Sequence, residues 1–297
     1  MNSNKLQIQR LALGTVQFGL KYGVANLGGK ISLDSARHIL RNAREVGIST
    51  IDTAIAYGDS EQRLGEIGLG DLRVITKLPG IPNDCSNIPN WIYKSVHESL
   101  SRLKVGRLAG LLLHKPLEIL SPFGDQLYAS LQQLKQDGIV EQIGISIYEP
   151  SELDAVCNRY RFDVVQAPFN ILDRRLIESD WMYRLHGEGI ELHARSVFLQ
   201  GLLLMRSVDR PMYFSQWQSL WEKWDRWFEI NDTDPLAACL GYVLSFPQIK
   251  KIIVGVDHLE HFTSILTSIN RDKVDWPTDI FCEDAKLLNP SQWTNLK

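Results

Sequence analysis

Four residues in the first part of the chain, Asp52, Tyr57, Lys77 and His114, could together move a proton to or from a reacting oxygen. A phenol, with an ordinary pKa of about 10, is a poor proton donor near neutrality until a neighbouring cation stabilises its anion. Lys77 reads as that cation, Asp52 as the carboxylate that holds the ammonium and balances its charge, and His114 as a hydrogen-bonding partner that polarises a carbonyl. Tyr57 would then be the general acid toward a developing alkoxide, and the base when the reaction runs in reverse. Each residue alone is more often a satisfied structural group than a catalyst; the four together carry the reading.

Such groups need elements that bring them to one place. Eight β-rich runs can be counted, at residues 11–14, 49–52, 73–77, 110–114, 142–146, 164–167, 190–194 and 252–255. Several are apolar without alternation, as strands covered on both faces must be. Helical periodicity fills the intervals: Ala36, Ile39, Leu40, Ala43 and Val46 recur between a Ser32 cap and a Gly47 stop. Leu127, Leu131 and Leu134 before Gly138, and Val96, Leu100 and Leu103 before Gly106, repeat the scheme. Alternating strands and helices predict an α/β fold, a (β/α)8 barrel with long loops at its C-terminal rim; an open doubly wound sheet is the alternative. In a barrel, Asp52, Lys77 and His114 end strands two, three and four, and Tyr57 follows in the loop, so all four meet at one rim. No linker or low-complexity tract interrupts the chain, which reads as a single domain over residues 1–297.

Two intervals exceed simple connections, residues 202–234 and 275–297. In the first, Trp217, Trp221, Trp224 and Trp227 share one helical face. They read as packing on the barrel or, alternatively, as an aromatic lid over substrate. Substrate choice is expected to lie with these two intervals and the loop after His114.

The bulk properties narrow the classes of function. A net charge of -3 gives no electrostatic reason to expect nucleic acid or an anionic membrane as partner. Cys85, Cys157, Cys239 and Cys282 lack metal-type spacing and read as reduced thiols. The polar N-terminus and the lack of a long apolar run predict a cytoplasmic protein. His258 and His261 alone are a weak metal-ligand spacing, and no metal is expected.

The segments Leu11-Ala-Leu-Gly-Thr15, Ile51-Asp-Thr-Ala-Ile-Ala-Tyr-Gly58 with Ser60-Glu61 and Leu64-Gly65, Val74-Ile-Thr-Lys77 and Leu111-Leu-Leu-His-Lys-Pro116 resemble the aldo-keto reductase superfamily. Its catalytic group is an Asp, Tyr, Lys and His in this chain order. Gly144-Ile-Ser146, Val165-Gln-Ala-Pro-Phe-Asn170 and Ile253-Val-Gly255 extend the resemblance over nearly the whole chain. It implies a TIM barrel that interconverts a small-molecule carbonyl and an alcohol with NADPH, or NADH as the alternative. By the same resemblance Ser146 and Gln166 hold the nicotinamide carboxamide, with Ile147 where the family usually has Asn. Arg195 stands where many members stack an aromatic ring on the nicotinamide; a guanidinium can also stack, or it forms a rim salt bridge. Gly255, Asp257, His258 and His261 fall at the cofactor's phosphate end, where Asp257 would repel a 2'-phosphate and suit a 2'-hydroxyl. A redox-neutral sugar epimerase and a nucleotide-sensing binding protein are the competing functions; the stretch Thr15-Val-Gln-Phe-Gly19 with Lys21-Tyr-Gly23 resembles reductases of carbohydrate pathways, which implies a sugar or nucleotide-sugar substrate.

Overall fold

A computed structural model describes residues 3–269 and 276–293. Eight parallel strands close on themselves in sequence order: β1 (Leu11–Gly14), β2 (Thr50–Asp52), β3 (Arg73–Leu78), β4 (Leu108–Leu113), β5 (Val140–Ser146), β6 (Val164–Pro168), β7 (Glu191–Arg195) and β8 (Ile249–Gly255). β1 pairs with both β2 and β8, with Gly14 opposite Asp52 on one side and Gly255 on the other. The predicted barrel is therefore closed, and the open-sheet alternative falls. β4 starts two residues before its predicted start, and His114 lies just beyond its end, tied by its backbone N–H to the Leu78 carbonyl at 3.0 Å.

A helix follows each strand: α1 (Leu33–Glu45), α2 (Ser60–Ile67), α3 (Ile88–Leu103), α4 (Gly124–Gln136), α5 (Ser151–Val156), α6 (Trp181–Gly187), α7 (Pro235–Leu244) and α8 (Leu259–Ser268). α1 begins as its sequence requires, the Ser32 hydroxyl accepting from the Ser35 N–H, and buries Ala36, Ile39, Leu40 and Ala43 against the barrel. Gly47 ends it at φ 95°, a conformation glycine adopts without steric cost. Full burial of Ile39 or Leu40 stabilises the packing by about 2–3 kcal/mol each. An N-terminal helix, Ser3–Arg10, was not expected from the polar sequence. Arg10 ties it down by donating to the carbonyls of Leu244, Phe246 and Ile249.

The Trp-rich stretch forms a helix, Gln218–Asn231. Trp221 and Trp224 are buried, Trp221 donates to the Phe214 carbonyl, and Trp217 donates to Asp284 of the C-terminal segment. The stripe is packing, and the aromatic-lid alternative does not hold for the described residues. Of the C-terminal interval, Asp275 and residues 294–297 lie outside the described residues. Among the described residues no helix is long and apolar enough to cross a membrane.

Candidate active site

The strands' C-terminal ends open into a cavity of about 690 Å³, within the size range of small-molecule sites. Asp52 and Lys77 meet at its floor. Their side chains are 5% and 1% exposed, and the ammonium donates to Asp52 Oδ1 at 2.6 Å and to the Thr53 carbonyl at 2.9 Å. The second Asp52 oxygen accepts from the Gln166 amide at 2.7 Å, so both carboxylate oxygens are occupied. Burial pulls the Lys77 ammonium below its ordinary pKa, and the Asp52 carboxylate opposes that pull.

Tyr57 reaches this pair through the turn after β2. Its ring centroid lies 5.1 Å from the Lys77 Nζ, and its edge contact with the His114 ring spans 5.8 Å. The turn is held from below by Gly19, where a Cβ would sit 1.8 Å from the Tyr57 carbonyl oxygen. Any side chain at residue 19 must therefore displace the Tyr57 backbone. Burial raises the Tyr57 phenol well above its ordinary value, Asp52 adds to the rise, and Arg195 is the cation that pulls against it. The structure adds Arg195 as a second cation acting on the phenol, beside the Lys77 ammonium that Asp52 balances.

His114 is pushed down to about 4, chiefly by burial and then by the charges of Lys77 and Arg195, so its imidazole is neutral at physiological pH. The unfolded chain takes up this proton near pH 6.5, whereas the folded chain resists until about pH 4. Stability assigned to His114 is thus intact above pH 6.5 and lost as pH falls toward 4, by at most about 3 kcal/mol and less with solvent screening. Chemical denaturation at pH 7 and pH 4.5 should show a smaller loss for His114→Gln than for the wild type. An equal loss in both would remove the assignment.

Ser146 and Gln166 end β5 and β6 side by side, the Ser146 hydroxyl donating to Gln166 Oε1 at 3.4 Å. A hydroxyl donor beside an amide oxygen that can accept a further bond is the donor set a carboxamide needs, so these residues fit a nicotinamide. Ile147 is buried, and its backbone carbonyl accepts from Arg195 at 2.8 Å. Arg195 ends β7 and leans past β6 toward β5, with its guanidinium 4.5 Å from the centre of the Tyr148 ring. Among the described residues its side-chain hydrogen bonds go to the Ile147 carbonyl and the Ser196 hydroxyl and to no carboxylate, so the rim salt bridge is not formed there. At the other end of the cavity stand Gly255, Asp257 and His261. Asp257 accepts from the Asn26 amide at 3.2 Å, and burial raises its carboxyl, against the pull of His261 and His258. The His258 and His261 rings pack edge-on, and His258 is not part of the cavity lining.

Of the predicted sources of specificity, the interval 202–234 contributes Leu204 and Met205 to the lining. The lining includes Gln17, Leu20 and Tyr22 from the loop after β1, Tyr148 after β5, and the segment from Ser196 to Met205 after β7. Neither the loop after His114 nor the described C-terminal residues contribute. The segment after β7 holds Ser196, Leu199 and Gln200 at positive φ, backbone strain of the kind that gathers where a site must be shaped. Sequence reasoning gave neither Tyr148 nor Tyr22 a place at the site; for Tyr148 the signal available was its position just beyond β5, whose end already carried Ser146. Glu61, from the Ser60-Glu61 motif, is structural: buried, it accepts from Thr76, Ser99 and Arg102 and fastens α2 to β3 and α3.

Residues 10–276 match the sequence model of the aldo/keto reductase family. The chain is 24% identical over 290 residues, 91% of its length and 90% of the relative's, to the uncharacterized oxidoreductase YqkF of Bacillus subtilis. It is 27% identical over 194 residues to human aflatoxin B1 aldehyde reductase member 2, a match covering 61% of the chain and 53% of that protein. Among solved structures, the holo form of aldo-keto reductase AKR11C1 from Bacillus halodurans has the same fold, with a TM-score of 0.71 at 21% identity over 90% of this chain and 88% of that one.

Proposed function

The chain belongs to the aldo/keto reductase family and is an NAD(P)-dependent oxidoreductase interconverting carbonyls and alcohols, and we propose that Tyr57 is its general acid and base. The observation that carries this reading is the convergence of Tyr57, His114 and the buried Lys77–Asp52 pair at the floor of one cavity. Ser146 and Gln166 would hold the carboxamide of a nicotinamide dinucleotide, which would supply the hydride. Neutral His114 donates a hydrogen bond to the carbonyl oxygen and orients it toward the Tyr57 hydroxyl. Tyr57, kept protonated at neutral pH by its burial, gives its proton to that oxygen as negative charge develops there. Arg195 and Lys77 then stabilise the phenolate until solvent returns the proton. Asp52 fixes the Lys77 ammonium, and Gln166 fixes Asp52.

Residues from both ends of the described barrel complete the cavity, Gly14 and Gly255 being register partners, and on this reading residues 1–297 work as a single domain. NADPH is the cofactor carried over from the family. Asp257 is the specific observation for NADH, because a carboxylate at the phosphate end repels a 2'-phosphate. Fluorescence titration with both reduced cofactors, followed by a carbonyl panel that includes sugars and nucleotide sugars, tests the proposal. Saturable binding with carbonyl-dependent cofactor oxidation is expected. Binding without turnover across the panel would transfer the protein to a nucleotide-sensing role.

A further inference from the structure

We infer that the substrate carries an anionic group, a carboxylate or a phosphate, and that Arg195 binds it beside the reacting carbonyl. The inference rests on the proposed reading that Tyr57 and His114 mark the reaction chamber.

A charge balance of the cavity leads to it. Its acidic and basic lining residues are Asp52, Asp257 and Arg195, together with His114 and His261. Asp52 is matched by Lys77 at 2.6 Å and by Gln166 at 2.7 Å, so that cluster is neutral overall. Asp257 is at the opposite end, engaged by Asn26. His114 is uncharged above about pH 4. The chamber around Tyr57 is left with one uncompensated positive charge, the Arg195 guanidinium.

That guanidinium is held in place but not satisfied. One terminal nitrogen donates to the Ile147 carbonyl at 2.8 Å and the other to the Ser196 hydroxyl at 3.1 Å. Of its five N–H groups, the remaining three have no acceptor among the described residues. Stacking over Tyr148 fixes the plane of the group at 4.5 Å. It lines the same cavity as Tyr57, His114 and Tyr22, beside Ser146 and Tyr148. A partly buried cation without a counter-ion is costly. A preorganised guanidinium fork with free N–H groups matches a carboxylate or a phosphoryl oxygen pair. A neutral carbonyl substrate would leave both the charge and the donors unanswered.

Both the substrate and the cofactor's own diphosphate could present such oxygens, and the experiment separates them. Benzaldehyde and its 2-, 3- and 4-carboxy derivatives are compared as substrates for wild type, Arg195→Lys and Arg195→Met, and NADPH and benzoate binding to each cofactor-free protein is measured by calorimetry. We expect the wild type to prefer at least one carboxybenzaldehyde to benzaldehyde in kcat/KM by about 10-fold or more, as a charge-assisted hydrogen-bonded pair would give. Arg195→Met should bring that ratio to about 1, Arg195→Lys should keep part of it, and benzoate should bind wild type at least 10-fold more tightly than Arg195→Met. A ratio that Arg195→Met leaves unchanged, with NADPH binding weakened, assigns the guanidinium to the cofactor and overturns the inference. If the wild type reduces none of the aldehydes, the proposed reaction fails on its own, and benzoate calorimetry still decides: equal affinity for wild type and Arg195→Met overturns the anion site.

Discussion

Replacing Tyr57 by phenylalanine is expected to lower kcat for carbonyl reduction by about 10³-fold, within the range a positioned general acid contributes, while NADPH binds with nearly wild-type affinity. The ring survives the change, and with it the contact with His114 and the approach of the Lys77 ammonium. Only the hydroxyl is lost. KM should move little, because the acid acts as charge develops and contributes little to binding the ground state. A Tyr57→Phe enzyme within about threefold of wild type would mean that the proton comes from elsewhere, with His114 the next group to examine.

The second large effect concerns the ion pair beneath Tyr57. Lys77→Met leaves Asp52 buried with Gln166 as its remaining partner, and Asp52→Asn leaves the Lys77 ammonium without a counter-charge. Breaking a buried pair from one side costs about 3–5 kcal/mol, so each single variant should show a markedly lower urea midpoint. The double variant Asp52→Asn/Lys77→Met buries no charge at this point and should recover a large part of that stability. Turnover separates structure from chemistry. If Lys77 stabilises the Tyr57 phenolate, the double variant is stable and still at least about 10²-fold slow. If the pair only holds the fold, activity returns together with stability.

Much of this was legible because the physics acting on it is local. Non-alternating apolar runs such as residues 252–255 must be covered on both faces, and Ser32 and Gly47 mark helix ends by chemistry confined to a few residues. Asp52 and Lys77 could be placed at one rim because strand ends in a barrel converge. The remainder depends on contacts between residues far apart in the chain. Helical spacing put Trp221 and Trp224 on one face but could not say which neighbour that face meets, and they pack away from the cavity. Gly19 lies within a motif, yet its role appears only when its missing side chain is set against the Tyr57 carbonyl. Arg195 was read as a surrogate for a stacking ring. That it extends to the Ile147 carbonyl follows from the separation of β5 and β7 by a single strand. The loop after β1 carried only a family cue in the sequence; that Gln17, Leu20 and Tyr22 wall the cavity depends on how the loop folds over the rim, which its composition does not signal.

The central claim is that this cavity passes a hydride from a nicotinamide to a carbonyl carbon while Tyr57 protonates the oxygen. Its most direct measurement is a single turnover with NADPH dideuterated at nicotinamide C4, in ordinary water, followed by mass spectrometry and proton NMR of the alcohol. The account predicts one deuterium on the carbinol carbon, none on the hydroxyl, and loss of labelled product in Tyr57→Phe. An alcohol formed without deuterium at that carbon, or labelled product formed at the wild-type rate by Tyr57→Phe, would contradict it.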